Sequence, residues 1–92
     1  MEEWSEWREL NGGSLTCDVA DVFAYEWDTY EVEYRMKDGS VMTGQVWANE
    51  EPFTYITSDG EEVEDYDRRW YIENDQGNEF DTLSVVAWRY KK

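Results

Sequence analysis

Histidine is absent from the 92-residue sequence, and cysteine and proline occur once each. Without histidine the commonest general base is missing, and so is every Ser–His or Cys–His nucleophile pair. Cys17 alone cannot form an internal disulfide or hold a zinc ion or an iron–sulfur cluster. We expect it to be a small buried or half-buried apolar residue rather than a reactive thiol. These absences predict a protein that is not an enzyme and carries no cofactor.

Carboxylates are the remaining candidates for catalysis or metal binding. The run 59–67 is rich in oxygen atoms, but it lacks the ligand spacing of an EF-hand loop. An acid–base pair of carboxyl groups needs a cleft that raises one pKa by burial, and a short sheet offers little room for one. We therefore predict no catalytic residue and no metal site.

Long apolar runs are also missing, because no stretch approaches the about 18 residues of a membrane-spanning helix. The start, Met1-Glu2-Glu3-Trp4, lacks the basic and apolar regions of a signal peptide. The length suits a single domain over residues 1–92. We expect this domain to be cytoplasmic and to have no membrane partner.

Leu, Ile, Val and Phe are scarce, with 16 residues in total, whereas there are six Trp and seven Tyr. A large aromatic side chain buries about 150–250 Å². Aromatic rings are therefore expected to build the core of a folded domain. Three of them, Trp27, Trp47 and Tyr66, are also candidates for anchors in a protein interface, where Trp and Tyr are enriched.

Period-2 alternation is clearest in Tyr30–Met36, where Tyr and Val alternate with charged residues. The Asp38-Gly39 pair predicts a two-residue hairpin into a returning strand over residues 41–47. Gly44 within that strand indicates a bulge or a close approach of another chain segment. This hairpin is the best-defined structural feature of the sequence.

Further strands are expected at residues 4–7, 53–57, 68–73 and 83–90, with turns at 58–61 and 74–78. The last strand has apolar residues on both faces, which favours a central position in the sheet. Residues 18–25 read either as a short helix with Asp18 as its N-cap or as an irregular loop, and we prefer the helix. The predicted fold class is mainly β, with α+β as an alternative: a single small twisted antiparallel sheet of about 4–6 strands and one short helix near residues 18–26.

Charge is the unusual property of the chain. Its 23 acidic and eight basic residues give a formal net charge of −15, whereas a small domain usually has a magnitude of about 2–8. Nine acidic residues and no basic ones lie between Asp38 and Asp67. Such a coat can serve solubility alone, but an even distribution would then be expected.

The segregated charge favours a surface that imitates a nucleic-acid backbone. Alternate residues of a strand stand about 6.7 Å apart on one face, so carboxylates can form rows there. The expected partner is a basic nucleic-acid-binding protein, while nucleic acid itself would be repelled. The candidate partner-binding residues are Glu31, Glu33, Glu50, Glu51, Asp59, Glu61, Glu62, Glu64, Asp65 and Asp67.

Short motifs support a related expectation. The chain contains Trp4-x-x-Trp7, Gly12-Gly13, Val32-Glu33-Tyr34-Arg35 with Asp38-Gly39 and Thr43-Gly44, and the ending Leu83-Ser84-Val85-Val86-Ala87-Trp88-Arg89-Tyr90. This order resembles a class of small phage and prophage proteins with a Trp-rich start, a V-E-V-R…D-G…G hairpin and a D-I-I-A-Y-R ending. The chain departs from that class in residues 17–29 and in the acidic stretch 49–67.

The resemblance implies a phage origin and a site of action in the cytoplasm of the bacterial host. By charge and size the chain also resembles DNA-mimicking anti-CRISPR and anti-restriction proteins. The two resemblances together imply an inhibitor of a host defence protein, with a CRISPR effector as the favoured partner. The alternative is a phage structural or assembly protein whose acidic surface serves only solubility.

Overall fold

The computed structural model describes residues 3–24 and 26–92. Five strands form one antiparallel sheet in the order β1-β5-β2-β3-β4. The mainly β fold class, with one sheet and one short helix, is therefore confirmed. The elements in chain order are β1 (Arg8–Glu9), α1 (Leu15–Phe23), β2 (Tyr30–Met36), β3 (Val41–Ile56), β4 (Glu62–Asn74), a 3₁₀ turn (Thr82–Ser84) and β5 (Val85–Tyr90).

The core lies between α1 and one face of the sheet, which we call the inner face. Leu15, Val19 and Phe23 form the buried stripe of the helix, which follows the spacing of an amphipathic helix. The Phe23 ring stacks on Tyr30 with centroids 4.0 Å apart, and it also contacts three further aromatic rings. The predicted aromatic core is thus present. The buried sheet residues around it are Val32, Tyr34, Val46, Ala48, Trp70, Ile72, Val85 and Trp88.

The helix begins earlier than the sequence pattern predicts. Ser14 is its N-cap, with its hydroxyl oxygen accepting a hydrogen bond from the Cys17 amide, so the predicted start at Asp18 is wrong. The helix ends at Phe23, and Ala24 follows with a positive φ of 47°. Tyr25, at the end of the segment predicted to be helical, lies outside the described residues. Cys17 is exposed on this helix, so its predicted burial is also wrong.

Three turns of the sheet have the same geometry. In each, the backbone amide of the residue before a three-residue loop donates a hydrogen bond to the carbonyl oxygen of the residue after the loop. The pairs are Met36 to Ser40, Thr57 to Glu61, and Asn74 to Asn78. The last loop residue is a glycine with φ between 77° and 89°, which only glycine adopts without strain. The Asp38-Gly39 hairpin therefore forms at the predicted place, with a three-residue loop instead of two.

The central strands are longer than predicted. Residues 41–47 and 53–57 were expected as two strands, but β3 runs without a break from Val41 to Ile56, and β4 extends from Glu62 to Asn74. The close approach expected at Gly44 is confirmed, since a Cβ atom there would lie 2.1 Å from the Glu73 carbonyl oxygen. β5 begins at Val85 and lies between β1 and β2, so its internal position is confirmed.

Within the described residues, the segment predicted as an N-terminal strand over residues 4–7 forms one isolated bridge, between Trp4 and Lys91, and β1 follows it. None of the helices in the described part of the chain is long and apolar enough to cross a membrane.

Candidate functional site

A two-stranded hairpin projects from the body of the sheet, and we call residues 49–67 the arm. Pairing of β3 with β2 ends at Val46, opposite Tyr30, whereas its pairing with β4 continues to Ile56 opposite Glu62. Every buried core residue lies outside the arm. The molecule is accordingly elongated, with extents of 53 × 28 × 23 Å. The arm is a scaffold for surface side chains.

Eight carboxylates and no basic residue belong to the arm. Residues directly opposite each other in the antiparallel register lie on the same face. The face that continues from the inner face of the body therefore carries Glu50, Glu62 and Glu64, and the outer face carries Glu51, Asp65 and Asp67. Asp59 and Glu61 lie at the turn. The negative charge thus surrounds the arm and reaches its tip.

The linear density of this charge is close to that of one nucleic-acid strand. Eight strand residues, 49–56, span about 27 Å at about 3.4 Å per residue. The eight carboxylates therefore supply about one charge per 3.4 Å of arm, which is the axial spacing of phosphates along one strand of duplex DNA. A cationic groove that encloses both faces of the arm would therefore meet about as many charges as one that follows a single phosphate backbone.

Two ion pairs set the predicted residues Glu31 and Glu33 apart from the arm. Both lie on β2 in the body of the sheet, with Glu33 bound to Arg89 at 2.5 Å and Glu31 to Lys91 at 3.2 Å. The body also holds an Arg8–Asp18 pair at 2.8 Å and an Arg35–Glu9 pair. Basic residues thus offset acidic residues of the body, and eight of the ten candidate residues lie together on the arm.

Polar contacts hold individual arm carboxylates at the base and at the tip of the arm. Glu51, at the base of the arm, lies 4.0 Å from Arg69 and also accepts a hydrogen bond from the Tyr71 hydroxyl. This hydrogen bond raises the pKa of Tyr71. At the tip, Asp59 accepts a hydrogen bond from the Thr57 hydroxyl, which lowers the pKa of Asp59. That carboxylate is therefore fully ionised at neutral pH.

Both edges of the arm are protected against pairing with another strand. The Thr57 amide bonds to Glu61, so the odd-numbered residues of β3 point their backbone N–H and C=O groups towards β4. The even-numbered residues point theirs away from the hairpin, and one of them, Pro52, has no amide hydrogen to offer another strand. On the other edge, Asp65 accepts a hydrogen bond from the outward-pointing amide of Tyr66 at 2.8 Å. Proline and charged residues are common devices against edge pairing. Side chains on the two faces are therefore the part of the arm suited to binding.

The three aromatic residues predicted as interface anchors lie in different surroundings. Tyr66 is exposed on the inner face of the arm, and Trp27 is exposed beneath the Arg68 guanidinium, 3.7 Å from the ring centroid. Trp47 is half-buried on the outer face, stacked on Tyr71 with centroids 4.4 Å apart.

Sequence reasoning missed the exposed apolar side chains of the arm, Phe53, Tyr55 and Ile56. The sequence pattern indicates only that they are strand-formers, because β propensity does not distinguish a covered face from an open one. Their position in the most acidic stretch of the chain was the available signal. An exposed apolar patch of this kind is typical of an interaction surface.

The described residues contain no group of three or more His, Cys, Asp or Glu side chains arranged to hold a metal ion. Comparisons of the chain with protein-family models, with curated proteins and with solved structures gave no match.

Proposed function

We propose that the protein is an inhibitor that inserts its acidic arm into the basic nucleic-acid-binding groove of another protein. The observation that carries the proposal is the arm itself: eight carboxylates, no basic residue and no core residue in one projecting hairpin. The Lys and Arg side chains of such a groove normally pair with phosphates, and carboxylates can replace these.

Two structural features support an inserted arm over a general acidic coat. In the body, cations from distant parts of the sequence pair with carboxylates, whereas residues 52–67 carry no cation of their own. The hairpin also holds mutually repelling charges in place before a partner arrives, which lowers the entropic cost of binding. A partner that encounters the molecule is therefore steered towards the arm.

The resemblance to phage proteins narrows the proposal to a host defence protein, and a CRISPR effector is the first partner to test. A second candidate function is phage assembly. It is favoured by the exposed apolar side chains of Ile56 and Tyr66, which could enter a pocket of a structural protein. The two functions differ in their dependence on charge.

The test compares two charge variants of equal net charge. The arm variant carries Glu61→Gln, Glu62→Gln, Glu64→Gln and Asp65→Asn. The body variant carries Glu6→Gln, Asp21→Asn, Glu26→Gln and Asp75→Asn at exposed residues of the body. Each changes the formal net charge from −15 to −11, because four carboxylates are replaced. Each protein is then titrated into complexes of labelled DNA with a CRISPR effector and with other bacterial DNA-binding proteins.

The wild-type protein and the body variant should displace DNA from at least one partner. The arm variant should need a concentration at least about tenfold higher for the same displacement. Displacement should also weaken as salt rises from about 50 to about 300 mM, because charge pairing is screened. Equal losses in both variants would mean that net charge, rather than the arm, causes binding. A protein of the panel that is bound without loss of its DNA, with an affinity that changes neither with salt nor in either variant, would instead support the assembly function.

A further inference from the structure

Three of the five arginines of this protein share one arrangement, over an aromatic ring. The Arg69 guanidinium lies 4.6 Å from the centroid of Tyr71, and the Arg89 guanidinium lies 4.7 Å from that of Trp7. Arg35 also lies over Trp7, at 5.2 Å. Each of these three arginines is at the same time ion-paired with a carboxylate, from Glu51, Glu33 or Glu9 respectively. The unit consists of a ring, a guanidinium and a carboxylate.

The outer face of the arm repeats this unit without the guanidinium. Phe53 and Tyr55 lie two residues apart on β3 with ring centroids 6.0 Å apart, and Asp65 lies directly opposite Phe53 in the register. Asp67 follows on the same face of β4. Within residues 3–24 and 26–92, no arginine or lysine is placed over either ring. Both rings are open to solvent, with 43% and 44% of the residue surface exposed.

We propose that this face binds arginine side chains of the partner, with the guanidinium over Phe53 or Tyr55 and paired with Asp65. The inference rests on the proposed function and names the residue type that the arm recognises in the basic groove. Charge complementarity determines the occupant. A second copy of this chain carries a formal net charge of −15 and would be repelled by this face, so the proposed occupant is a basic protein segment.

Arginine fits this face better than lysine for two reasons. Its planar guanidinium stacks on aromatic rings and is weakly hydrated, so it can leave water at low cost. It also forms two parallel hydrogen bonds with one carboxylate, whereas lysine acts as a point charge. Asp65 Oδ1 accepts a hydrogen bond from the Tyr66 amide, so Oδ2 is the oxygen with which a bound guanidinium would pair.

The experiment measures the affinity of the intact protein for nona-arginine and nona-lysine peptides by calorimetry at low and at moderate salt. The ring variant carries Phe53→Thr and Tyr55→Thr, and a matched control carries Ile56→Thr and Tyr66→Thr on the opposite face. Threonine keeps a high β propensity, so both variants should retain the hairpin. A third variant, Phe53→Tyr, keeps a ring in place and should behave as the wild type does. Circular dichroism verifies that each variant is folded.

The wild-type protein should prefer nona-arginine at about 150 mM salt, and the ring variant should weaken binding of that peptide about five- to thirtyfold, the equivalent of one or two cation–π contacts. The control and the Phe53→Tyr variant should keep the preference. If the wild type and the ring variant bind both peptides equally, the arm attracts charge without recognising arginine, and only this inference is overturned. If neither peptide binds the wild type at about 50 mM salt, the proposed function is overturned as well.

Discussion

Two buried tryptophans provide a direct test of the hydrogen bonding that closes the core. Trp88 is 0% exposed, and its Nε1 donates to Asp18 Oδ2 at 2.8 Å. Trp70 is 6% exposed, and its buried Nε1 has no hydrogen-bond partner among the described residues. Replacing each residue with phenylalanine removes the same atoms and leaves a cavity of similar size. The difference between the two variants therefore reports the indole hydrogen bond.

The expected difference follows from the two environments. Trp88→Phe loses a hydrogen bond to a charged group, which contributes about 1.5–3 kcal/mol to stability. Trp70→Phe instead removes a buried unsatisfied donor, whose desolvation costs about 1–3 kcal/mol in the wild type. Trp88→Phe should therefore lower the free energy of unfolding by at least about 2 kcal/mol more than Trp70→Phe does.

Urea denaturation followed by circular dichroism measures this difference, since a single domain of this size is expected to unfold in one transition. The slope of the transition should be the same in all three proteins, so that midpoints can be compared. Equal losses in the two variants, or a larger loss for Trp70→Phe, would refute the assignment of the Trp88–Asp18 hydrogen bond as a stabilising contact.

Two further predictions concern the steric overlap caused by a side chain at a glycine position and the dependence of stability on pH. Gly44→Ala should lower the free energy of unfolding by about 3 kcal/mol or more, because the new Cβ would meet the Glu73 carbonyl oxygen. Gly60→Ala should lower it by only about 1 kcal/mol through backbone strain, since no atom lies within 4 Å of the new Cβ there. Urea midpoints check both variants. Asp18→Asn should destabilise the protein at pH 7 and progressively less as the pH falls below about 4, because a hydrogen bond from Arg8 and a second one from Trp88 lower the pKa of Asp18 in the folded state.

The sign of the pH effect follows from that lowered pKa. The stabilisation is present above the ordinary pKa of an aspartate and is lost as the pH falls through the folded-state value. Comparison of the wild type with Asp18→Asn at each pH removes the general effect of neutralising the other carboxylates. A difference in stability that is constant from pH 7 to pH 3 would contradict the lowered pKa of Asp18. A Gly60→Ala variant as unstable as Gly44→Ala would contradict the steric explanation for Gly44.

Most strands and turns could be predicted because their signals are local. Alternation of side chains over Tyr30–Met36 and glycines at the last loop position of each turn depend only on neighbouring residues. The start of the helix was misplaced for a different reason. Ser14 and Asp18 are both good N-cap residues, and Asp18 is instead held by Trp88, 70 residues further along the chain.

The candidate site was predicted only in part for a similar reason. The acidic stretch 49–67 could be found from composition, and it forms the arm. Glu31 and Glu33 have the same sequence pattern as the arm residues, but Lys91 and Arg89 approach them across the sheet. A pairing between residues about 60 positions apart depends on strand order, which no local pattern specifies.

The sequence by itself therefore determined the mainly β fold, the turn positions and the separation of acidic from basic segments, because alternation, glycine and charge act over a few residues. Only the tertiary structure decided that β3 and β4 continue past the end of β2, so that the acidic stretch projects as a hairpin. It also decided which carboxylates find a cation. These outcomes depend on which strands lie side by side, and the physical reason is that ion pairing and burial act between residues that are close in space, whatever their distance along the chain.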